Sequence, residues 1–409
     1  WRLGEEVMNA NQDPTEYFDK AVATAKKAIL YDNKDAYAYN NLGHAYVRKA
    51  NYEQKLNLSP EGYLDLAIEN YLKAIELNPN FAFARNGLGL VYWREAAYLI
   101  EKDKDPSSFL DKSIESYRKS IEIRPTYSAY SNIGLAAYHK ANYEARHGID
   151  PTKSYELSTK YLEEAIKLNP KRAEAYKYLA LTFMDKANLP ISNNIDPTNL
   201  FDLAIEHGRK AVELDNDTVE PYYNLGLIYN KKAFYYLTKN LDPTELLEQA
   251  RENFLAGNKF DPNYQKIYLE QSYLELIFAC WQIAQNQDPS KLLNQTRNIL
   301  SKVSNSKSTV YKIMAESHLY QAEWQVKNSQ NPILAINNGL SLIKQALEIE
   351  PEKAEFLAVN GHLLLLKASL EKNTNLAKEA ESLLQKAMTT NLFLSHYKPL
   401  LEKARNLQE

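Results

Sequence analysis

Three kinds of residue in this chain could do chemistry. Aspartates followed by proline stand at Asp13, Asp105, Asp150, Asp196, Asp242 and Asp288, histidines are dispersed along the length, and there is one thiol, Cys280. Paired carboxylates could serve as general acid and base, and histidine with aspartate could hold a metal or activate a nucleophile. Their spacing argues otherwise. These six acids recur at steps of 45 or 46 residues, or twice that, which is the mark of a repeating structural device. The histidines form no His-Glu-x-x-His arrangement, and Cys280 sits beside Trp281 in an apolar run, the setting of an inert core thiol. The stretch NGLGLV around Gly87 and Gly89 lacks the third glycine and the preceding strand of a phosphate-binding loop. No catalytic constellation and no cofactor are expected.

What the spacing describes is a set of elements. Ser59-Pro60 fills the one gap in the series, and Asn331-Pro332 continues it. Laid at this period, DAYAYNNLGHAYVRKA, FAFARNGLGLVYWREA and YSAYSNIGLAAYHKA align, and each is followed by a second segment such as LAIENYLKAIELNP. Apolar and small residues recur at steps of three and four in both, so both are helices. Gly43, Gly89, Gly134, Ala180 and Gly226 lie on first helices, and Ala67, Ser113, Ser158, Ala204 and Ala250 follow each by 24 positions on second helices. Helices approach closely only where side chains are small, so these pairs set the register of a helical hairpin stacked on copies of itself.

The corner between the two helices accounts for Asp-Pro. Two positions before the Asp stands Asn11, Gly148, Asn194, Asn240 or Asn286, a residue that tolerates the left-handed conformation ending a helix. The Asp then caps the next helix, and Pro takes its first position, where a missing N–H costs nothing. Glu16 and Glu245 are placed to complete capping boxes with Asp13 and Asp242. Pro190 should end its first helix early.

Small, aromatic and proline positions in this order resemble the tetratricopeptide repeat over almost the whole chain. The usual unit of that family has 34 residues. Here about 12 more fall between the first-helix Gly and the second-helix Ala, lengthening each helix by ~9 Å. The resemblance implies an all-α, right-handed α-solenoid superhelix. Residues 1–34 read as a partial hairpin that begins in mid-pattern, with more protein expected before it. Residues 35–263 hold five regular repeats, 264–394 three degenerate ones, and 395–409 a capping helix with Leu400, Ala404 and Leu407 on one stripe.

The resemblance also assigns the first helices to an inner, concave wall, reached by positions three before and one or four after the small residue. In this chain the candidate partner-binding residues are Asn40 and His44; Asn86, Leu90 and Trp93; Ser131, Leu135 and Tyr138; Lys177, Leu181 and Met184; and Tyr223, Leu227 and Asn230. The ladder Leu90, Leu135, Leu181, Leu227 has two readings, an apolar groove for a partner segment or a seal buried between hairpins. The clamp by which some relatives hold a terminal carboxylate is absent, since Leu181 follows Lys177 where Asn is needed.

The composition is that of a soluble, core-forming chain, 44% hydrophobic and 25% charged, with net charge −3. With only Lys177 and His44 basic on the inner positions, a nucleic-acid ligand is not expected. No run reaches the roughly 18 apolar residues of a membrane span, and a single cysteine suits a reducing, cytoplasmic setting. Extended repeats with this turn are similar to those following the kinase domain in some bacterial serine/threonine protein kinases. That resemblance implies a non-catalytic scaffold, the partner-binding or sensing arm of a larger signalling protein. The alternative is a structural module that forms a homodimer through the degenerate repeats, which carry Trp281 and Trp324.

Overall fold

The computed structural model describes residues 2–10, 12–102, 104–189 and 196–408, and among them the chain is helical with no strand. Two compact units are formed, residues 1–143 with 151–171, and residues 144–150 with 172–409. In the first lie α1 (Arg2–Asn9), α2 (Thr15–Tyr31), α3 (Ala36–Lys55), α4 (Glu61–Leu77), α5 (Ala82–Glu101), α6 (Ser107–Ile123), most of α7 (Tyr127–Arg146), and α8 (Thr152–Leu168). The second holds α9 (Ala173–Asn188), α10 (Thr198–Leu214), α11 (Val219–Thr238), α12 (Thr244–Asn258), α13 (Gln265–Ala284) and α14 (Ser290–Leu300). It continues with α15 (Lys307–Lys327), α16 (Ile333–Ile349), α17 (Ala354–Glu371), α18 (Thr374–Thr390), a 3-10 turn (Leu392–Tyr397) and α19 (Lys398–Asn406).

Each odd-numbered helix from α3 to α17 packs along its even-numbered successor as an antiparallel hairpin. Within the first unit α3 also lies beside α5. Within the second, α9, α11, α13, α15 and α17 run side by side. First helices therefore make one layer and second helices the other. Most first helices have 20 residues, about 30 Å, whereas α9 has 16 and stops at Asn188, two residues before Pro190. Pro190 itself and residues 191–195 lie outside the described residues.

The corners follow the expected chemistry. Gly148, Asn240 and Asn286 have φ of +72°, +54° and +58°, and Asn57 and Ser329 play the same part at the Ser59-Pro60 and Asn331-Pro332 corners. The next N–H reaches back to close each helix, Leu58 to the carbonyl of Glu53, Leu241 to Tyr236 and Gln287 to Gln282, at 2.8–2.9 Å. Asn11 and Asn194 lie outside the described residues. The Asp Oδ1 then accepts the N–H two residues on, at 2.9 Å for Asp13, Asp105, Asp196, Asp242 and Asp288. At Thr15, Thr198 and Ser290 the hydroxyl donates to the same oxygen at 2.6 Å. These bonds hold the carboxyls of Asp13, Asp196, Asp242 and Asp288 below their ordinary pKa. The Thr or Ser that follows each of these six Asp-Pro pairs is thus part of the corner. Glu16 does not close its capping box, because its carboxylate takes Lys20 at 2.5 Å instead.

The narrow contacts fall where the 24-residue offset puts them. Ser113 Oγ donates to the Gly89 carbonyl at 2.8 Å and Ser158 Oγ to the Gly134 carbonyl at 2.9 Å. A Cβ on Gly43 would stand 3.2 Å from the Ala67 carbonyl and the Tyr71 ring, and one on Gly226 would stand 2.5 Å from the buried Phe254 ring. At the far end α19 lays Leu401 and Ala404, both buried, against its neighbours.

Candidate functional site

The register that places Gly89 and Gly226 against second helices also fixes which first-helix residues turn away from them. Asn40, His44, Asn86, Leu90, Trp93, Tyr138, Lys177, Tyr223 and Leu227 keep part of their surface in water. Ser131, Leu135, Leu181, Met184 and Asn230 do not: Leu135 is 8% and Leu181 9% exposed. Helices of this length lie flush against their neighbours, so a residue on the shoulder of the inner stripe is covered by the adjacent hairpin. Leu90 shows the geometry, since it packs against two core clusters of the first unit while its edge stays open. A ligand on this face meets the partly open residues, and the buried ones act through packing. Several of the open ones already have neighbours, Trp93 the His139 ring at 6.2 Å, Lys177 the Glu220 carboxylate at 3.0 Å and Tyr223 the Tyr264 ring at 5.5 Å.

The same register carries on into the degenerate repeats. One place past Ser272, Ala315 and Gly361 stand Tyr273, Glu316 and His362, so the series Leu90, Leu135, Leu181, Leu227 becomes polar. Lys312, three places before Ala315, donates to Glu316 at 2.7 Å and to the Tyr273 hydroxyl at 3.1 Å, with its ammonium 4.8 Å from the Tyr273 ring centre. Burial works against the Lys312 charge, but Glu316 and Tyr273 more than offset it and the pKa is raised. Tyr273 is pushed up to about 12 by burial, and Glu270 is raised by the same cause. Asn230 donates to the Glu270 carbonyl at 2.9 Å, and His362 meets Glu323 at 3.0 Å. These residues lie beyond the point where the aligned signature frays, which is why the pattern of the first five repeats did not reach them. Gly339, 24 positions after Ala315, is the signal that restores the register.

The 3-10 turn shows how the inner layer of the second unit is shaped. His396 stacks edge-on to Phe234 of α11 at 5.0 Å, and the next residue, Tyr397, does the same to His362 of α17 at 6.4 Å. In a flat layer with ~10 Å between helices, α11 and α17 would be about 30 Å apart. The layer therefore curls, and the turn sits in its hollow, anchored by buried Leu394 and by Asn391 donating to Glu355 at 2.9 Å. His396 is exposed, yet the protein packed against its ring lowers its pKa to about 4, so it is neutral. Cys280 is nearby with its pKa raised by burial, a thiol and not a thiolate. Among the described residues no group of three metal-binding side chains comes together.

Comparison with known proteins agrees with this architecture. Residues 61–95 match the TPR repeat family model. That span runs from α4 into α5 and so avoids the lengthened hairpin tip, the part that departs from the usual unit. No curated protein sequence matches the chain. Among solved structures, the human IFIT1 dimer with m7Gppp-AAAA is 15% identical, over 99% of this chain and 80% of that one, with a TM-score of 0.52. YrrB, described as a TPR protein with an unusual peptide-binding site, is 19% identical over 60% of this chain and 97% of its own, with a TM-score of 0.38. A thermophilic TPR protein from Thermus thermophilus is 16% identical over 59% of this chain and 100% of its own, with a TM-score of 0.41. Residues 61–95 thus match a tetratricopeptide repeat, and they sit within an all-α fold of stacked antiparallel hairpins of the kind such repeats build.

Proposed function

We propose that this chain is a non-catalytic scaffold that binds a segment of another protein along the exposed faces of its first helices. The observation that carries this reading is the single layer those helices make within each unit, with apolar and aromatic side chains left partly open on it. Leu90, Trp93 and Tyr138 in the first unit and Tyr223 and Leu227 in the second supply that surface, and amphipathic segments dock on surfaces of this kind. The proposal extends to context: the partner-binding or sensing arm of a larger bacterial signalling protein, working in the cytoplasm on protein and not on nucleic acid or membrane. The near-balanced charge and the sparsity of basic residues on the inner positions support the choice of protein.

A phage-displayed peptide library panned on the whole chain tests the reading. Selected peptides should lose at least tenfold in affinity to Trp93→Ala with Tyr138→Ala, or to Leu227→Ser, with helicity by circular dichroism unchanged. Leu135 and Leu181 are unsuited to this test, because a charge at either buried site would unfold its hairpin. Peptides whose binding ignores the open first-helix positions would overturn the assignment.

A further inference from the structure

Resting on the inner-face reading, we infer that the hollow lined by α11, α13, α15 and α17 binds the side-chain cation of a basic protein segment, an arginine or lysine seated between Glu316 and Asn230. Two buried acceptors there have no hydrogen-bond partner among the described residues. Glu316 spends one oxygen on Lys312 and leaves Oε2 unmatched, and Asn230 donates through Nδ2 but leaves Oδ1 unmatched. Glu316 is 7% and Asn230 2% exposed. Leaving a buried acceptor without a donor is costly, so each is a place where a donor from outside would be strongly held. Both atoms call for a donor, and neither suits an anion.

The surroundings select a charged donor. Glu270, Glu316 and Glu323 line the hollow against buried Lys312 and exposed Lys231, an excess of carboxylate over ammonium. Burial raises the Glu270 carboxyl pKa even against the pull of Lys231, Asn230 and Lys312. The walls already hold one cation on an aromatic face, Lys312 over Tyr273, and Tyr397 and Tyr320 stand close enough to feel the Glu316 charge. A protein segment, in preference to a small amine, follows from register. Leu227 stands partly open on α11, which runs beside α13 in the same unit, so a segment carrying an apolar residue beside its cation matches both parts of that layer.

The test uses the whole chain and a fluorescein-labelled peptide, GSLRLSG, beside the same peptide with citrulline in place of arginine. Fluorescence anisotropy should show the arginine peptide bound at least tenfold more tightly, since citrulline keeps the shape and removes the charge. Glu316→Gln should weaken the arginine peptide at least tenfold. Lys312→Met should tighten it at least threefold, because the internal competitor for Glu316 is gone; a merely structural role for the pair would weaken binding in both variants. If Lys312→Met is poorly folded alone, the arginine peptide should raise its melting temperature and the citrulline peptide should not. Equal binding of the two peptides, no binding of either at about 1 mM, or variants moving in the same direction would overturn the assignment. Competition by arginine amide as strong as by the peptide would overturn the choice of a protein segment. If library peptides bind the open first-helix residues while GSLRLSG does not bind at all, only the cation assignment fails and the scaffold reading stands.

Discussion

At the scale of single residues, one position departs from a pairing that three other repeats share. Lys49 pairs with Asp19 at 2.6 Å, Lys140 with Asp111 at 2.5 Å and Lys232 with Asp202 at 2.5 Å, each joining a first helix to a second helix about 30 residues before it. The same place on α5 is Glu95, which is 6% exposed and faces Asp65 and Glu61. Burial, with those two acids behind it, raises the Glu95 carboxyl from 4.5 to about 7. Ionising it in the fold costs on the order of 3 kcal/mol more than in the unfolded chain. Below pH 4.5 the group is protonated folded or unfolded and nothing is lost. As pH rises from 4.5 to 7 only the folded chain keeps the proton, so stability falls, and above 7 the loss is complete. Glu95→Lys should restore the pair with Asp65, raise the urea midpoint at pH 8, and abolish that slope between pH 5 and 8. A Glu95→Lys chain no more stable than its parent at pH 8 would show that the acid has another partner.

At the scale of elements, the narrow contacts make a sharper statement than helix propensity does. Alanine is a better helix former than glycine by about 1 kcal/mol. At Gly226 the new methyl would meet the Phe254 ring, which is fully buried and has nowhere to move. Overpacking of that sort costs about 1–3 kcal/mol. Gly226→Ala should therefore lower the urea midpoint, whereas the same change in a Phe254→Leu background should raise it, a coupling a double-mutant cycle measures. These contacts were legible in the amino-acid pattern, as were the corners, because each depends on one or two residues of restricted type: a small residue, an Asn or Gly two before the Asp, a Pro after it. The capping box at Glu16 was not, since nothing in the spacing says that Lys20 would win its carboxylate. Nor was the burial of Leu135 and Leu181, which depends on how flush two long helices lie.

At the scale of the molecule, the hollow of the second unit was the least legible part. Its residues come from α11, α13, α15 and α17 and from a turn more than a hundred residues after the first of them, and only curvature brings them together. Curvature is a sum of small rotations between hairpins, and no local residue pattern records it. The consequence, within the second unit, is a surface that changes character along the series, apolar at Leu227 and polar from Tyr273 to His362. The account's central claim is that this first-helix layer is the working surface. Hydrogen–deuterium exchange of the whole chain, with and without a library-selected peptide, tests that most directly. The account predicts slowed exchange confined to first helices, such as α5 and α11, and to the 3-10 turn. Protection centred on second helices, such as α6 and α12, would contradict it.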